Sequence, residues 1–466
     1  MLEFQKLTAN EGARLRPYYE ACDYRLCEYS LGVKLMWRGY LHPWFAEAAG
    51  CLIIRNCIEG EYVFDYPILG PDGNEEAALT AIEQYCAEKE LPLVLSVVPE
   101  DKAAQLVLRY PRVSVSSERP WKDYLYHTED LAQFAGRRYS GQRNHINKFR
   151  RDYPDAEFVP LSDPQDLRLA AFWSDYEAEF HKSGPLAKEE LALAQELFAL
   201  LDTGWFCAGG MLAEGRLVAV SLAERCGNTL VNHIEKALYS HAGAYPAIVQ
   251  AFAAHFGDGC TWINREDDAR DKGLRTSKLQ YLPAALGGKV RLQVGTELDV
   301  LRRIPTLKTD RLTLTPLRPS DCEAYNALCL DDDRNRWWGY DYRTALNGAP
   351  LTEDYFLSVA KADFTARRAV NFAVRLKGKL IGEVVFYRPD FRGGFEQGCR
   401  IAPAYAGHGY GTEAFAAAAD WALYHLGLAR VVAKCFKENA PSHRMLSACM
   451  RPSGEDAAYF YFEKTV

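Results

Sequence analysis

At 466 residues the chain is too long for one hydrophobic core, and the length sets an expectation of three domains. Hydrophobic residues make up 48% and charged residues 25%, and a net charge of −7 excludes a global pull toward nucleic acid or an anionic membrane. Thirteen cysteines spread from Cys22 to Cys449 without a C-x-x-C pair, a pattern of free thiols in a reducing cytosol rather than a disulfide framework or zinc site. The start "MLEFQKLTANEGARL" lacks the basic-then-apolar profile of a signal peptide, and no apolar run approaches the ~20 residues that span a bilayer. The expected location is cytoplasmic.

In chain order, "CLIIRNCIEGEYVFDYPILG" (51–70) predicts a hairpin turning at Glu59-Gly60, followed by a helix over 75–89 and the strand "PLVLSVV". A soft boundary falls near 130–136. Beyond it, "WFCAGGMLAEGRLVAVSLAERCGNTLVNHIEKAL" (205–238) predicts strands turning at Glu214-Gly215 and Gly227-Asn228. The helix "YPAIVQAFAAHF" and the strand "CTWIN" complete the same order of elements, and "GGKVRLQV" closes the region. The clearest seam lies at 295–308. After it "DRLTLTPLRPSD" opens a new strand, with Ser320 or Asp321 placed to cap the next helix. The order then recurs in "AVNFAVRLKGKLIGEVVFYRP", "FEQGCRIAP", a helix over 411–426 and "RVVAKCF". Recurrence at ~150 residues predicts three copies of one α/β fold with a mixed sheet, over 1–135, 136–298 and 305–466.

The stretch "RRYSGQRNHINKFRRDYP" (137–154) carries Arg137, Arg138, Arg143, Lys148, Arg150 and Arg151 ahead of its first acid, Asp152. As a helix from about Gln142 it places Ile146, Phe149 and Tyr153 on one apolar face, and Pro154 ends it. Its cations are either the solvated face of a packed helix or a patch for the phosphates of tRNA or a lipid headgroup. Glu235 and Lys236 end a strand just before a helix entry at Gly243–Pro246. Asn264, Glu266, Asp267 and Asp268 follow the next strand, and Arg275 and Lys278 share a helix face at i, i+3. Charged groups at strand C-termini are where α/β proteins build sites, and surface ion pairing is the competing reading. The aspartate spacing is not that of an EF-hand loop, and no metal is expected.

Gly407, His408, Gly409, Tyr410 and Gly411 stand between a strand and an alanine-rich helix. Glycines there permit positive φ and close backbone approach, and the free amides of a helix entry favour an anion. No P-loop lysine follows, and the spacing is not the G-x-G-x-x-G of dinucleotide sites. Spacing alone leaves open an anion cradle or a plain helix entry.

With "LKTDRLTLTPLRPSD", "IGEVVFY", "CRIAPAYAGHGYGTEAF", "KENAPSHRML" and "YFYFEK", this segment resembles the GNAT N-acetyltransferases, in the branch of the ribosomal-protein N-terminal acetyltransferases. The resemblance implies acetyl-CoA as acyl donor and a small-molecule or protein N-terminal amine as acceptor. It implies that the strand through Arg400 and Ile401 pairs with the pantetheine arm. The amides of Gly407, His408, Gly409, Tyr410, Gly411 and Thr412 would hold the pyrophosphate, and Asn439 would contact the cofactor arm. Ser442 is the candidate acid for the departing thiolate or, alternatively, a helix cap; Glu396 and Glu383 are candidate bases or, alternatively, solvated strand residues. Two positions depart from the family pattern. Ala406 stands where Gln or Arg is usual, and "LSACMRPSGED" replaces a Lys-x-Gly-Phe-like turn.

Residues 1–298, through "MWRGY", "RNHINKFRRDYP", "HIEKAL" and "INREDDARDKGLRTSKLQYLP", are similar to the soluble C-terminal domain of lysyl-phosphatidylglycerol synthases. That implies two tandem GNAT-like folds, with Arg143, Lys148, Glu235, Lys236, Asn264, Asp267, Arg275 and Lys278 as a possible substrate site. "YSHAGAYPAIV" keeps one glycine, Gly243, and Pro246 removes a donor, so this fold is not expected to hold acetyl-CoA through a pyrophosphate loop. The preferred reading is an acetyl-CoA-dependent N-acetyltransferase with an N-terminal acyl- or aminoacyl-transferase-like module. The alternatives are aminoacyl transfer from tRNA by the N-terminal region, or a binding protein with a decayed acetyltransferase tail.

Overall fold

The computed structural model describes residues 2–179, 185–338 and 341–466, the side chains of 185–188 excepted. The chain divides into two compact units. One comprises Met1–Ile82, Val94–Ala104 and Val115–Gln293, the other Glu83–Leu93, Gln105–Ser114 and Val294–Val466.

The first sheet runs in the order Gln5–Lys6, Trp44–Ala48, Cys51–Ile58, Glu61–Asp65, Leu93–Pro99, Lys289–Val294, Val113–Ser116, with Ile68–Leu69 paired to Cys51–Ile58 off this path. Its hairpin turns at Glu59 and Gly60, both at positive φ, as a two-residue loop between twisted strands requires. The second sheet runs Ala285–Gly287, Asp123–His127, Trp262–Asn264, Thr229–Ala237, Arg216–Cys226, Cys207–Ala213, Glu157–Leu161. Two strands cross the sequence limit drawn at 135/136. Asp123–His127 pairs in the second sheet, through Ile263↔Tyr126 and Leu286↔Tyr124, whereas Lys289–Val294 lies in the first. The sheets therefore do not coincide with 1–135 and 136–298. An apolar strand reports that it is buried; its sequence does not report beside which partner.

The third sheet runs Leu307–Lys308, Leu312–Pro316, Val370–Leu376, Lys379–Tyr387, Gly394–Ile401, Arg430–Phe436, Tyr459–Thr465, Arg451–Glu455. Every neighbouring pair in it is antiparallel except Gly394–Ile401 with Arg430–Phe436. Leu314, Phe372, Val374, Ile381 and Val384 form its core with Ala414, Phe415 and Ala418 of the helix Tyr410–Trp421. Alanines on that face let the helix lie close to the strands. The expected helix over 411–426 is this one, finished by a π turn at Ala422–Leu426 and stopped at Gly427.

Asp321 stands at the N-cap position of the helix Cys322–Cys329, as expected, but its side chain makes no capping hydrogen bond to that helix. Asp321 instead accepts the Arg318 N–H (2.7 Å) and takes both arms of Arg375 at 2.9 and 2.6 Å. Arg375 Nε also donates to Thr315 Oγ1 (2.8 Å), so one buried ion pair ties two strands to the helix entry. Burial raises the Asp321 carboxyl, but the Arg375 guanidinium outweighs it and holds the group below its ordinary 3.8. The pair's contribution is thus complete above that value and lost as pH falls through the depressed one. Arg375→Met leaves a buried carboxylate without its partner and should cost about 3 kcal/mol in urea unfolding. The double variant Arg375→Met, Asp321→Leu should recover most of it, and Asp321→Asn should flatten the acid side of the stability profile.

Candidate functional site

The parallel strands Gly394–Ile401 and Arg430–Phe436 pair only through Gly394↔Arg430, Phe395↔Val431 and Glu396↔Val432. Beyond Glu396 they part. Each stays paired to its outer neighbour, Gly394–Ile401 as far as Gly382↔Ile401 and Arg430–Phe436 as far as Phe436↔Tyr459. The inner edges of 397–401 and 433–436 thus lack a strand partner. Such an edge is where an extended, amide-bearing chain adds.

The glycine loop lies at the head of this parting. Gly407 and Gly409 hold φ of 80° and 78°, and Gly409 is the N-cap of Tyr410–Trp421. None of the amides of residues 407–412 donates to an acceptor among the described residues. A Cβ on Gly411 would lie 3.4 Å from both Ile401 Cγ1 and Met445 Sδ. His408 is exposed, with Nδ1 2.9 Å from the Ala406 carbonyl and its ring stacked 5.7 Å from Tyr410. The Ala406 N–H is spent on the Pro403 carbonyl (3.1 Å), so the loop's free amides begin at Gly407.

Sequence reading missed Arg311. It lies in the turn before Leu312–Pro316, 97 residues from His408, yet its Nη1 donates to the His408 carbonyl at 3.0 Å. Its Nε and backbone N–H bind the Glu413 carboxylate at 2.6 and 2.9 Å, and its guanidinium lies 4.7 Å above the Tyr410 ring. No local motif joins two such distant residues; the opposite charges of Arg311 and Glu413 are the only trace.

The candidate catalytic groups separate. Glu383 is fully buried and accepts from Arg400 Nε (2.5 Å), the Tyr325 hydroxyl (2.7 Å) and Asn371 Nδ2 (3.4 Å). This carboxylate is a locked counter-ion, and the geometry removes it from the candidate bases. Arg400 faces it across the ladder and also binds Asn335 Oδ1 and Cys329 Sγ, so only its backbone is open to a ligand. Glu396 is half-buried, held by the Tyr387 hydroxyl (2.9 Å) and more loosely by Arg388 (3.4 Å) and Lys434 (3.9 Å). Ser442 is not the cap of Ala440–Cys449; Asn439 is, and its Oδ1 accepts the Ser442 N–H at 3.2 Å. The N-x-x-S pattern is thus a capping pair, which leaves Asn439 Nδ2 and the Ser442 hydroxyl without a partner among the described residues. Where the family's Gly-Phe turn is missing, Met450 extends directly into the edge strand Arg451–Glu455. Asp456 closes its hairpin by accepting the Ala458 and Tyr459 amides, each at 2.7 Å.

In the second sheet the corresponding parting is filled from within, and in the first the two parallel strands stay bonded across it. In the second, Thr229–Ala237 and Trp262–Asn264 pair in parallel only as far as Val231↔Asn264. Arg265 then crosses to Glu235 (Nε 3.0 Å), which also accepts from Asn232 (2.8 Å) and the Tyr245 hydroxyl (2.9 Å). At the helix entry, a Cβ on Gly243 would lie 2.5 Å from the His145 carbonyl, so the basic helix Ser140–Asp152 covers the place of a glycine loop. In the first sheet, the Tyr66 N–H donates directly to the Val97 carbonyl (3.0 Å), and the Tyr29 hydroxyl braces both, donating to that carbonyl (2.7 Å) and accepting the same N–H (3.1 Å). Beside it Lys34 and Asp65 form a fully buried pair at 2.5 Å.

The remaining N-terminal candidates are mostly structural. Arg143 donates to the Phe134 and Gly136 carbonyls, and Lys236 pairs with Glu190 at 2.6 Å. Asn264 bridges Asp123 (2.7 Å), the Arg25 carbonyl (2.8 Å) and the Glu266 N–H (2.7 Å). Arg275 takes both oxygens of Asp268 and holds that carboxyl down to about 2. Lys278 donates to the Asp267 carbonyl, and burial lowers its ammonium below the usual lysine range. The Asp267 carboxyl is pushed up to about 7 by burial, against the pull of Lys289. Lys148 is exposed. All thirteen cysteines are free thiols.

The family model of the phosphatidylglycerol lysyltransferase C-terminal domain matches residues 20–289, and that of the acetyltransferase (GNAT) domain matches 311–449. The chain is similar to an uncharacterized N-acetyltransferase, YoaA, of Bacillus subtilis, 26% identical over 145 residues, 30% of this chain and 80% of that one. A conserved protein of unknown function from Bacteroides thetaiotaomicron is 26% identical with a TM-score of 0.56, covering 63% of this chain and 99% of its own. Mycobacterium smegmatis RimJ in complex with CoA-disulfide is 21% identical with a TM-score of 0.30, over 35% of this chain and 88% of its own. No helix among the described residues is long and apolar enough to cross a membrane. The chain belongs to the phosphatidylglycerol lysyltransferase C-terminal family and carries a C-terminal GNAT acetyltransferase domain, which makes it an acyltransferase.

Proposed function

We propose that the C-terminal domain, 305–466, transfers an acetyl group from acetyl-CoA to an amine. The observation that carries this is the open parting beyond Glu396 with unspent amides at its head. The edge at Cys399–Ile401 would pair with the pantetheine amides, and the amides of Gly407–Thr412 would take the diphosphate. Asn439 Nδ2 would contact the arm. The amine nitrogen attacks the thioester carbonyl, its proton passes to Glu396, and the C–S bond breaks. The leaving thiolate takes the Ser442 hydroxyl proton, which solvent restores. Glu396 suits the base role better than Glu383 because its partners at 3.4 and 3.9 Å can yield, whereas Glu383 is saturated. The acceptor is a small-molecule or protein N-terminal amine.

For the N-terminal folds, proposed over 1–135 and 136–298 with the strands Asp123–His127 and Lys289–Val294 exchanged between them, the closed or filled strand pairs argue against a CoA-type donor. The second reading for this module, aminoacyl transfer from tRNA to a lipid or small acceptor, is favoured by the exposed cations Lys148, Arg150 and Arg151 on one helix. Arg143 is excluded from that patch because backbone carbonyls already hold it.

Calorimetry should detect acetyl-CoA binding that is abolished by Gly409→Asp, Gly411→Asp. Asp tolerates the positive φ at 409, so the double variant should fold and lose the site through carboxylates placed against the diphosphate. A wild type that binds no acetyl-CoA sinks the proposal. In gel-shift titrations, tRNA should bind the wild type with a steep salt dependence that Lys148→Ala, Arg150→Ala reduces. Salt-independent tRNA binding, or none, removes the second reading.

A further inference from the structure

We infer that Arg311 is the cation of the donor's diphosphate site, delivered from outside the glycine loop to the place Ala406 leaves without charge. This inference rests on the acetyl-CoA reading above. The guanidinium lies along the loop, with Nη1 on the His408 carbonyl at 3.0 Å and Nη2 3.4 Å from the position a Gly409 Cβ would take. Nη2 has no acceptor among the described residues, and about half of the side chain is exposed beside the unspent amides. Its orientation is fixed beforehand on three sides. Glu413 takes Nε at 2.6 Å, His408 takes Nη1, and the Tyr410 ring lies beneath at 4.7 Å. Glu413 is occupied in turn by the Thr309 hydroxyl and the Arg311 backbone N–H, so its oxygens are spent away from the loop. A planar, always-charged group held in this way loses little entropy on meeting a phosphate and presents its remaining N–H groups as a fork.

The other two folds supply the contrast. The helix after the first sheet's hairpin is capped by its own Asn74, which accepts the Ala77 N–H at 3.0 Å. The second fold's helix entry is covered by the His145 carbonyl.

A purely structural Arg311, bracing the loop through His408 and Glu413, would affect every donor alike. The test therefore compares acetyl-CoA with S-acetylpantetheine, which keeps the thioester arm and lacks the diphosphate, by calorimetry on the full chain. Arg311→Gln keeps an N–H for the His408 carbonyl and removes the charge; Arg311→Lys keeps the charge. For Arg311→Gln we expect acetyl-CoA affinity to fall about tenfold, with a shallower salt dependence and unchanged S-acetylpantetheine affinity. Arg311→Lys should stay within about threefold of wild type for acetyl-CoA. Equal losses for both donors, or unchanged acetyl-CoA affinity in Arg311→Gln, overturn the inference. Wild type that binds neither donor fails the acetyl-CoA reading itself, and Arg311 then loses its ligand.

Discussion

Two parallel strands that stop pairing after Glu396 and Val432 govern everything else in the C-terminal domain. A strand edge carries a row of donors and acceptors, and leaving such groups unpaired away from water costs more than a hydrogen bond returns. A fold can part its strands only if something fills the gap. The chain contains that problem three times and solves it in two ways. The first sheet keeps its strands bonded from Tyr66 to Val97, with the Tyr29 hydroxyl bridging both, and in the second Arg265 crosses the gap to meet Glu235. Among the described residues, the third gap keeps only the loose Lys434–Glu396 contact at 3.9 Å as an ion pair, and none of the amides of residues 407–412 beside it donates to an acceptor.

Each of the first two places also carries an expensive pair. Lys34–Asp65 and Arg265–Glu235 are buried ion pairs, whose Coulomb attraction is largely spent on desolvation. Apolar side chains would have filled the same space at no such cost, so stability alone does not account for them. What a charged pair adds is directionality: each pair fixes one strand's C-terminal end against a specific neighbour. In an N-terminal region whose two sheets exchange the strands Asp123–His127 and Lys289–Val294, such fixed points choose one pairing among several apolar alternatives.

This is also why the sequence was legible in some places and silent in others. Hairpins at Glu59-Gly60, Glu214-Gly215 and Gly227-Asn228 announce themselves because positive φ restricts which residues can turn there. The strand–loop–helix unit at Gly407–Gly411 is equally local, and its amide cradle could be read from five residues. Roles that depend on distant partners could not be read. Glu383 looks like any strand glutamate until Arg400 and Tyr325 are seen to close over it. Ser442 looks like a cap until Asn439, three residues earlier, takes that place. The swapped strands fall in the same class, since alternation records burial and never the neighbour.

Arg311 shows what separating a charge from its loop achieves. An arginine at position 406 would sit on the loop itself and move with it. Arg311 instead belongs to the turn leading into Leu312–Pro316, and it reaches the loop through Glu413 on the helix and His408 in the loop. Strand, loop and helix entry thereby share one guanidinium, so their relative positions are set before any ligand arrives. That arrangement places the loop's free amides at fixed distances from one another, which is the condition for several weak N–H contacts to act on one anion together. The buried Arg375–Asp321 pair does the same for the next turn of chain, where Pro319–Asp321 leads into the helix that carries Tyr325 to Glu383. Two arginines near the start of the domain thus tie its first strands to the glycine loop and to the entry of the helix Cys322–Cys329, one through an exposed contact and one through a buried contact.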